Sequence, residues 1–509
     1  MDQLQDIPQT RILLLAATAL LTSILLIRRL HRAYHHRQFA RRHNCKPITH
    51  YNNKDPILGL DEVYRGITSA RAHKALETLA QRFEQHKATT YASKRLWRYN
   101  IVTIEPENIK TILSTNFKDY GLGHRLPIFK PLLGEGIFDT DGAHWAASRA
   151  LIRPNFTRDQ VVADLASFED RVPDLLALIP RDGVTEVDLQ DIFFRYTIDS
   201  ATAFLFGQSV GSLRMRPSEL GFADAFNYAQ GAMMVRMLLG PLGCFYRNSR
   251  AERCNRLCRE FARPFVDEAV AIARAGKSAG AAEGGRYVFS HELASRTDDK
   301  GRILDELMNV LLAGRDTTAS LLSNMFFMLA KHPAVWARLR EEANAFGGRV
   351  PTYTELRGMK YLKCCINESL RLHPVVPVND RKALRDTVLP VGGGEDGLSP
   401  VFVPKGTLVG YIVYAMHQRK DFYGPDADVF RPERWEDGKL QPRWEYLPFN
   451  GGPRICIGQQ YALTEVAYVT VRLAQEFKGL GSRDPGPWEE SLTLTVCSKN
   501  GTRVCLTPA

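Results

Sequence analysis

Residues 449–458 read Phe-Asn-Gly-Gly-Pro-Arg-Ile-Cys-Ile-Gly, and the stretch behind them, QQYALTEVAYVTVRLAQEF at 459–477, carries apolar side chains at helical spacing. A single cysteine, Cys456, therefore stands on a glycine-rich loop at the head of a helix. Amide N–H groups and the positive end of the helix dipole favour a thiolate there. A thiolate suits a haem iron that activates oxygen, because sulfur pushes electron density onto the metal and promotes O–O cleavage more than histidine or methionine does. Gly452 and Gly458 leave room for backbone to approach a porphyrin plane and for amides to point at the sulfur. Arg454 offers a planar fork for a haem propionate, and Phe449 is placed to screen the sulfur from water. The competing reading, a free cysteine in a glycine turn, accounts for none of these neighbours.

Working outward, residues 303–331 form the longest helical pattern in the body of the chain. At about 1.5 Å per residue the run spans roughly 43 Å, enough to cross a whole domain. In its middle lies Ala-Gly-Arg-Asp-Thr-Thr, residues 313–318, flanked by LMNVLL and SLLSNMFFMLA. Gly314 thins the helix where a flat ligand can pass, and the Thr317 hydroxyl can bond a carbonyl one turn back and loosen the ladder. Asp316 beside Thr317 makes an acid–alcohol pair, which with water can relay the protons that splitting dioxygen requires. The competing reading is a polar face on an amphipathic helix.

These motifs resemble those of the cytochrome P-450 family: F-x-x-G-x-R-x-C-x-G at the cysteine and [AG]-G-x-[DE]-T-[TS] on the long helix. Further matches follow in the family's order over nearly the whole chain after the first few dozen residues. Glu368-Ser-Leu-Arg371 resembles its E-x-x-R; the spacing alone says little, since Glu62/Arg65 and Glu260/Arg263 repeat it as ordinary exposed helix pairs. The resemblance implies that Arg434, in PERW at 432–435, joins Glu368 and Arg371 in a buried network that holds the meander before the cysteine loop. Trp145 and Arg149 resemble a W-x-x-x-R contact to a haem propionate, against the alternative of a cation–π surface pair, and Arg381 is a third propionate candidate by family position. The implied fold is mainly α with small β-sheets, and the implied cofactor is haem b, iron protoporphyrin IX, with Cys456 as axial iron ligand.

Composition agrees with a large folded body. The chain has 509 residues, 44% hydrophobic, with no Pro/Gly/Ser-rich linker after about residue 55. Its nine cysteines include no C-x-x-C pair, which argues against a disulfide framework or structural zinc. The formal net charge of +11 is concentrated at one place: seven Lys/Arg fall between Arg28 and Lys46. Without a basic stripe interleaved with aromatics elsewhere, nucleic acid is not an expected partner. Before that run lies ILLLAATALLTSILLI, residues 12–27, extended by Leu4 and Ile7. Acidic residues precede it, arginines follow, and no A-x-A-like cleavage site appears, so it reads as a membrane anchor rather than a signal peptide. The expected organisation is an anchor at 1–27, a basic juxtamembrane linker at 28–54 against membrane lipid, and a haem-binding domain at 55–509. By the positive-inside rule the body faces the cytosol, at the endoplasmic reticulum.

In the body, residues 91–104, 408–414 and 492–504 read as strands, and 160–178, 187–206, 251–274 and 359–373 as helices. A Gly/Ala-rich segment at 276–285 reads as a surface loop. Gly207-Gln-Ser-Val-Gly211 fits the G-x-S-x-G of a serine hydrolase with Ser209 as nucleophile, but that elbow needs a strand before it and the preceding residues read as helix. A nearer alternative keeps the haem and rearranges peroxides without a reductase; the Asp316–Thr317 pair favours oxygenation over it. With no Rossmann G-x-G-x-x-G after a strand, the resemblance implies NADPH-derived electrons from a separate flavoprotein, NADPH–cytochrome P-450 reductase. LLGEGIFDTDGAHWAASRALIRPNF, VVPVNDRKALRDTVLPVGGG and YAMHQRKDFYGPDADVFRPERW resemble the fungal alkane- and fatty-acid-hydroxylating branch, implying a small apolar substrate, held near residues 120–133 and 492–495 and hydroxylated at a chain end, although related fungal enzymes also act on secondary metabolites.

Overall fold

The computed structural model describes residues 9–51, 53–157, 164–215, 221–276 and 287–509. Its axis is the helix Lys300–Lys331, capped at its start by Asp299, whose side chain accepts from the Arg302 N–H, and followed by Pro333, which cannot continue it. Between positions 306 and 327 every residue is buried except Leu312, Ala313, Gly314 and Thr317. Helix Leu189–Phe206 packs along it, starting at an Asp188 cap and ending where Gly207 turns left-handed at φ 77°. Phe193 and Phe326 meet between the two helices with ring centroids 5.2 Å apart. Each fully buried ring stabilises the fold by about 2–3 kcal/mol, so Phe326→Ala costs about 3–5 kcal/mol once the cavity is included.

Beside this helical core stands a six-stranded sheet in the order Thr49–His50, Thr90–Arg95, Arg98–Thr103, Leu408–Ile412, Val378–Ala383, Tyr120–Gly121. Its last pairing, Tyr120 to Ala383 and Gly121 to Lys382, brings the loop at 122–125 next to Arg381. A three-stranded sheet joins Phe477–Ser482, Arg503–Pro508 and Val187–Asp188. Two hairpins complete the β structure: Thr387–Gly393 with Ser399–Val403, and Glu490–Leu492 with Val496–Ser498.

Several expectations change. The strand at 91–104 is a hairpin whose two turn residues, Leu96 and Trp97, both take positive φ. The helix at 160–178 appears, among the described residues, as Leu165–Glu169 and Val172–Ala177; Pro173 has no N–H to give the Glu169 carbonyl, and it fits in the first turn of the second helix. Helix Gly221–Leu239 was not foreseen. Of the expected loop at 276–285, all but Gly276 lies outside the described residues.

The N-terminal helix runs unbroken from Gln9 to Arg42 and is, among the described residues, the one helix long and apolar enough to cross a membrane. Residues 28–42, the first part of the basic juxtamembrane segment, continue the same helix. Its end is fastened to the body: Phe39 packs on Phe402 at 5.2 Å, and backbone bonds join Lys46 N–H to the Pro400 carbonyl and Gly394 N–H to the Pro47 carbonyl.

Candidate active site

The cysteine loop enters through Asn450 at φ 63° and a short turn, Gly452–Arg454, before helix Gln459–Glu476 begins. The Cys456 N–H donates to the Phe449 carbonyl at 3.0 Å, which closes the loop. Protein surrounds Cys456 closely enough for burial to push its thiol up, yet its residue keeps solvent-accessible surface. The Gly458 N–H and the Arg149 guanidinium act in the opposite direction and stabilise negative sulfur. Gly452 is required for a different reason from the one its position suggests. At φ 66°, a Cβ there would stand 1.9 Å from the Leu113 carbonyl oxygen, so protein backbone, not a porphyrin, excludes a side chain. A Cβ on Gly458 would make only ordinary contact with Phe156.

Arg454 is held on several sides. Nη2 donates to the Thr140 carbonyl and Asp141 Oδ1, both at 2.8 Å, Nη1 to the Ile137 carbonyl at 3.3 Å, and the guanidinium lies 4.4 Å from the Trp145 ring. Burial lowers its pKa to about 10, against the attraction of Asp141. Arg149 donates to the Ile455 carbonyl at 3.1 Å, and the Trp145 indole N–H is buried without a partner. Arg381 is 3% exposed and donates to Asn379 Oδ1 and the Asp380 carbonyl.

A residue the sequence reading missed stands beside it. Arg125 donates to Asp380 Oδ1 at 2.6 Å and to Asn379 Oδ1 at 2.7 Å, while its Nε is buried and unpartnered. His124 shares the same carboxylate at 3.0 Å, and the Arg125 charge with these hydrogen bonds holds the Asp380 carboxyl well below the usual range despite burial. Arg125, Arg149 and Arg381 all lie close enough to depress Arg454. Arg125, Arg381 and Arg454 thus crowd around two carboxylates, Asp141 and Asp380, with Arg149 close by on the Cys456 side, so that guanidiniums outnumber carboxylates in the cluster. Adjacent His124-Arg125 in an otherwise apolar loop was the available signal.

On the long helix, Leu312, Ala313, Gly314 and Thr317 make one accessible face in a buried helix. The Thr317 hydroxyl donates to the Ala313 carbonyl at 2.6 Å. Asp316 belongs to the buried side, 4% exposed, where Arg315 donates to it at 2.9 Å. Burial raises its carboxyl, with Arg315 and Gln230 opposing. Arg315 also reaches Asn227 at 2.6 Å, tying Asp316 to helix Gly221–Leu239. Alcohol and acid are therefore sequence neighbours turned to different environments. A second acid was missed: Glu465, on the cysteine helix, is 2% exposed with Oε1 unpartnered, and burial pushes its carboxyl up to about 7 against the pull of Ser200, Arg171 and Thr318.

Behind the loop, Glu368 and Arg371 are fully buried and bonded twice, at 2.8 and 2.9 Å. Arg434 Nε donates to the same carboxylate at 3.1 Å, as do Trp435 Nε1 and the Arg431 N–H. Arg371 also holds the His417 and Ala427 carbonyls, and Arg434 those of Tyr423 and Asp426. Burial pushes the Glu368 carboxyl up, but the arginines outweigh it and hold it below its ordinary value. Glu62, read as half of an exposed pair with Arg65, is instead buried and bonded to Arg82 at 2.7 Å.

The sequence profile of "Cytochrome P450" matches residues 63–505. The chain belongs to the cytochrome P450 family. It is 50% identical to the cytochrome P450 monooxygenase himC of Aspergillus japonicus over 511 residues, 99% of this chain and 91% of that one. It is 46% identical to the cytochrome P450 monooxygenase fsdH of Fusarium heterosporum, over 92% of this chain and 84% of that one. With cytochrome P450 52A13 of Debaryomyces hansenii the identity is 42%, over 92% of this chain and 93% of that one. Membership makes this P450 a haem-containing monooxygenase with an N-terminal helix suited to membrane anchoring. Ser209 is no nucleophile elbow: a helix, not a strand, leads into it, and its Oγ accepts from the Gly211 N–H.

Proposed function

We propose that this P450 hydroxylates a long apolar chain, an alkane or fatty acid or a metabolite built from one, with Cys456 as the iron ligand. The observation that carries the haem site is the cluster of Arg125, Arg149, Arg381 and Arg454, which outnumbers the carboxylates Asp141 and Asp380 near it, beside an unpartnered indole N–H on Trp145. A haem b brings two propionates, and buried cations are stable when so paired. The glycine-rich cysteine loop fits beneath it, with the Gly458 N–H toward the sulfur.

When bound, the haem supplies the chemistry of oxygen activation; the chain supplies position and protons. Leu312, Ala313 and Gly314 form an apolar face over which a chain can lie, while Thr317, on that face, is the group placed to hand on a proton. Asp316 lies next to it in sequence, its carboxyl raised by burial against the pull of Arg315, and reaches Thr317 only by turning from Arg315. Phe129, on the 120–133 segment, and Leu494, on the 492–495 turn, pack in one apolar cluster with Leu312 and Ile457. Such walls exclude water and select by position rather than by polar contacts. Electrons come from NADPH through a separate flavoprotein reductase, and the anchor fixes the body on the cytosolic side of the endoplasmic reticulum membrane. The resemblance of the three long segments quoted above supports the substrate class.

Titrating the haem-loaded protein with alkanes and fatty acids of graded length tests this. A Soret shift that strengthens with chain length and reaches a maximum is expected. No shift with any chain, alongside a strong shift with compact polycyclic compounds, would overturn the substrate class.

A further inference from the structure

Glu306 lies on the long helix with no solvent exposure, and both of its carboxyl oxygens are buried without a hydrogen-bond partner. An ionised carboxylate so placed is costly, and the cost falls when it takes a proton. Burial pushes its carboxyl up from an ordinary 4.5 to about 7. The charged and titratable groups facing it are Arg302 and Asp305 on its own helix and His144 on helix Gly142–Thr157, whose Ser148 hydroxyl also faces it. None is committed to Glu306. Asp305 is taken by Arg259 at 2.7 Å and by the Glu135 N–H, and His144 Nε2 by the Glu135 carbonyl, while Ser148 Oγ and Arg302 Nη2 are themselves buried and unpartnered. Asp139, from the preceding loop, faces Asp305 and Glu135.

Two features tie this acid to the haem region. Ser148 shares a helical turn with Trp145 and Arg149. Glu306 also stands seven residues, about 10 Å of helix rise, before Ala313 on the accessible face. We propose that Glu306 is a proton-accepting group coupled to reduction of the haem. One electron delivered by the flavoprotein is matched by one proton from solvent, which bonds to the Glu306 carboxylate and makes it the neutral acid, so the buried region gains no net charge. Glu306 acts through space on the potential and touches no reacting atom. Over a separation of about 10 Å, the helix rise between Glu306 and Ala313, and at an effective dielectric of about 20, one added negative charge raises the acid's proton affinity on the order of tenfold. By reciprocity, protonation eases reduction by the same factor.

The inference rests on the haem-site reading above, and potentiometry separates the two. A preparation without a haem-thiolate spectrum fails the site reading, whereas a loaded protein with the wrong pH response fails only this one. The measurement is the midpoint potential of the haem-loaded full chain from pH 6 to 9, followed optically. In the wild type it falls as pH rises through neutrality; in Glu306→Gln this fall is lost and the potential stays near the wild type's acid limit. Ser148→Ala removes a hydroxyl that lowers Glu306, so the fall moves to higher pH, which keeps the idea testable should Glu306→Gln not take up haem. An unchanged pH profile in Glu306→Gln, or in Ser148→Ala if only that variant loads, would overturn the proposal.

Discussion

The Glu368 carboxylate behind the cysteine loop and the carboxylates of Glu306 and Glu465 at the long helix are all buried, but their hydrogen bonds are filled to opposite extents. Around Glu368 the carboxylate accepts from Arg371, Arg434, Trp435 and the Arg431 N–H, and the arginines saturate nearby carbonyls. Around the helix, Glu306, Glu465, Gln230 Nε2 and Arg315 Nε are left with unpaired atoms. A network that only has to hold a loop gains from closing every bond. A region that must take and release protons needs groups whose charged and neutral forms are close in energy, and unpaired burial achieves that.

If the contrast is real, breaking the closed network does the greatest damage. Glu368→Ala leaves the fully buried Arg371 guanidinium without its counter-charge and Arg434 with Asp426 alone, at about 3–5 kcal/mol. The expected result is loss of haem-loaded protein, read as the ratio of Soret to protein absorbance; normal loading would show that the network is dispensable.

The unclosed region responds in the other direction. Glu465 has a raised carboxyl, so the folded chain binds more protons than the unfolded one between about pH 4.5 and 7. Stability is full below that window and falls as pH rises through it, by about 3 kcal/mol for a shift of this size. Glu306 and Asp139 are raised into the same window, so Glu465→Gln should make the fall shallower without abolishing it in a series of urea melts. A steeper or unchanged slope would count against a strained acid at that position.

The smallest effect is expected at Thr317. Thr317→Ala should keep fold and haem but lower the yield of product per NADPH by about tenfold, less than a fully committed proton donor contributes because water can stand in for part of the relay. Peroxide release would rise to match. Unaltered coupling would mean that protons reach the site without this hydroxyl.

The features legible in the sequence were those written in local pattern. The cysteine loop, the length of the central helix, its AGRDTT core and the anchor need only neighbouring residues to be read. What depends on distant chain was hidden. Strand Val378–Ala383, VNDRKA, shows no alternation, and only its pairing with Leu408–Ile412 and Tyr120–Gly121 makes it a strand and delivers Arg381 to Arg125. Gly452 needs the Leu113 carbonyl, 339 positions away, to explain it. Asp316 looked like Thr317's partner because they are adjacent, but successive helical residues point about 100° apart, and Arg315 holds the acid on the buried side.

The account stands on sulfur ligation at Cys456. Reduced, carbon monoxide-treated membranes carrying the wild type should show the red-shifted Soret band of a haem-thiolate, and Cys456→Ser, expressed to the same level, should lose it. Persistence of that band without the Cys456 sulfur would contradict the account.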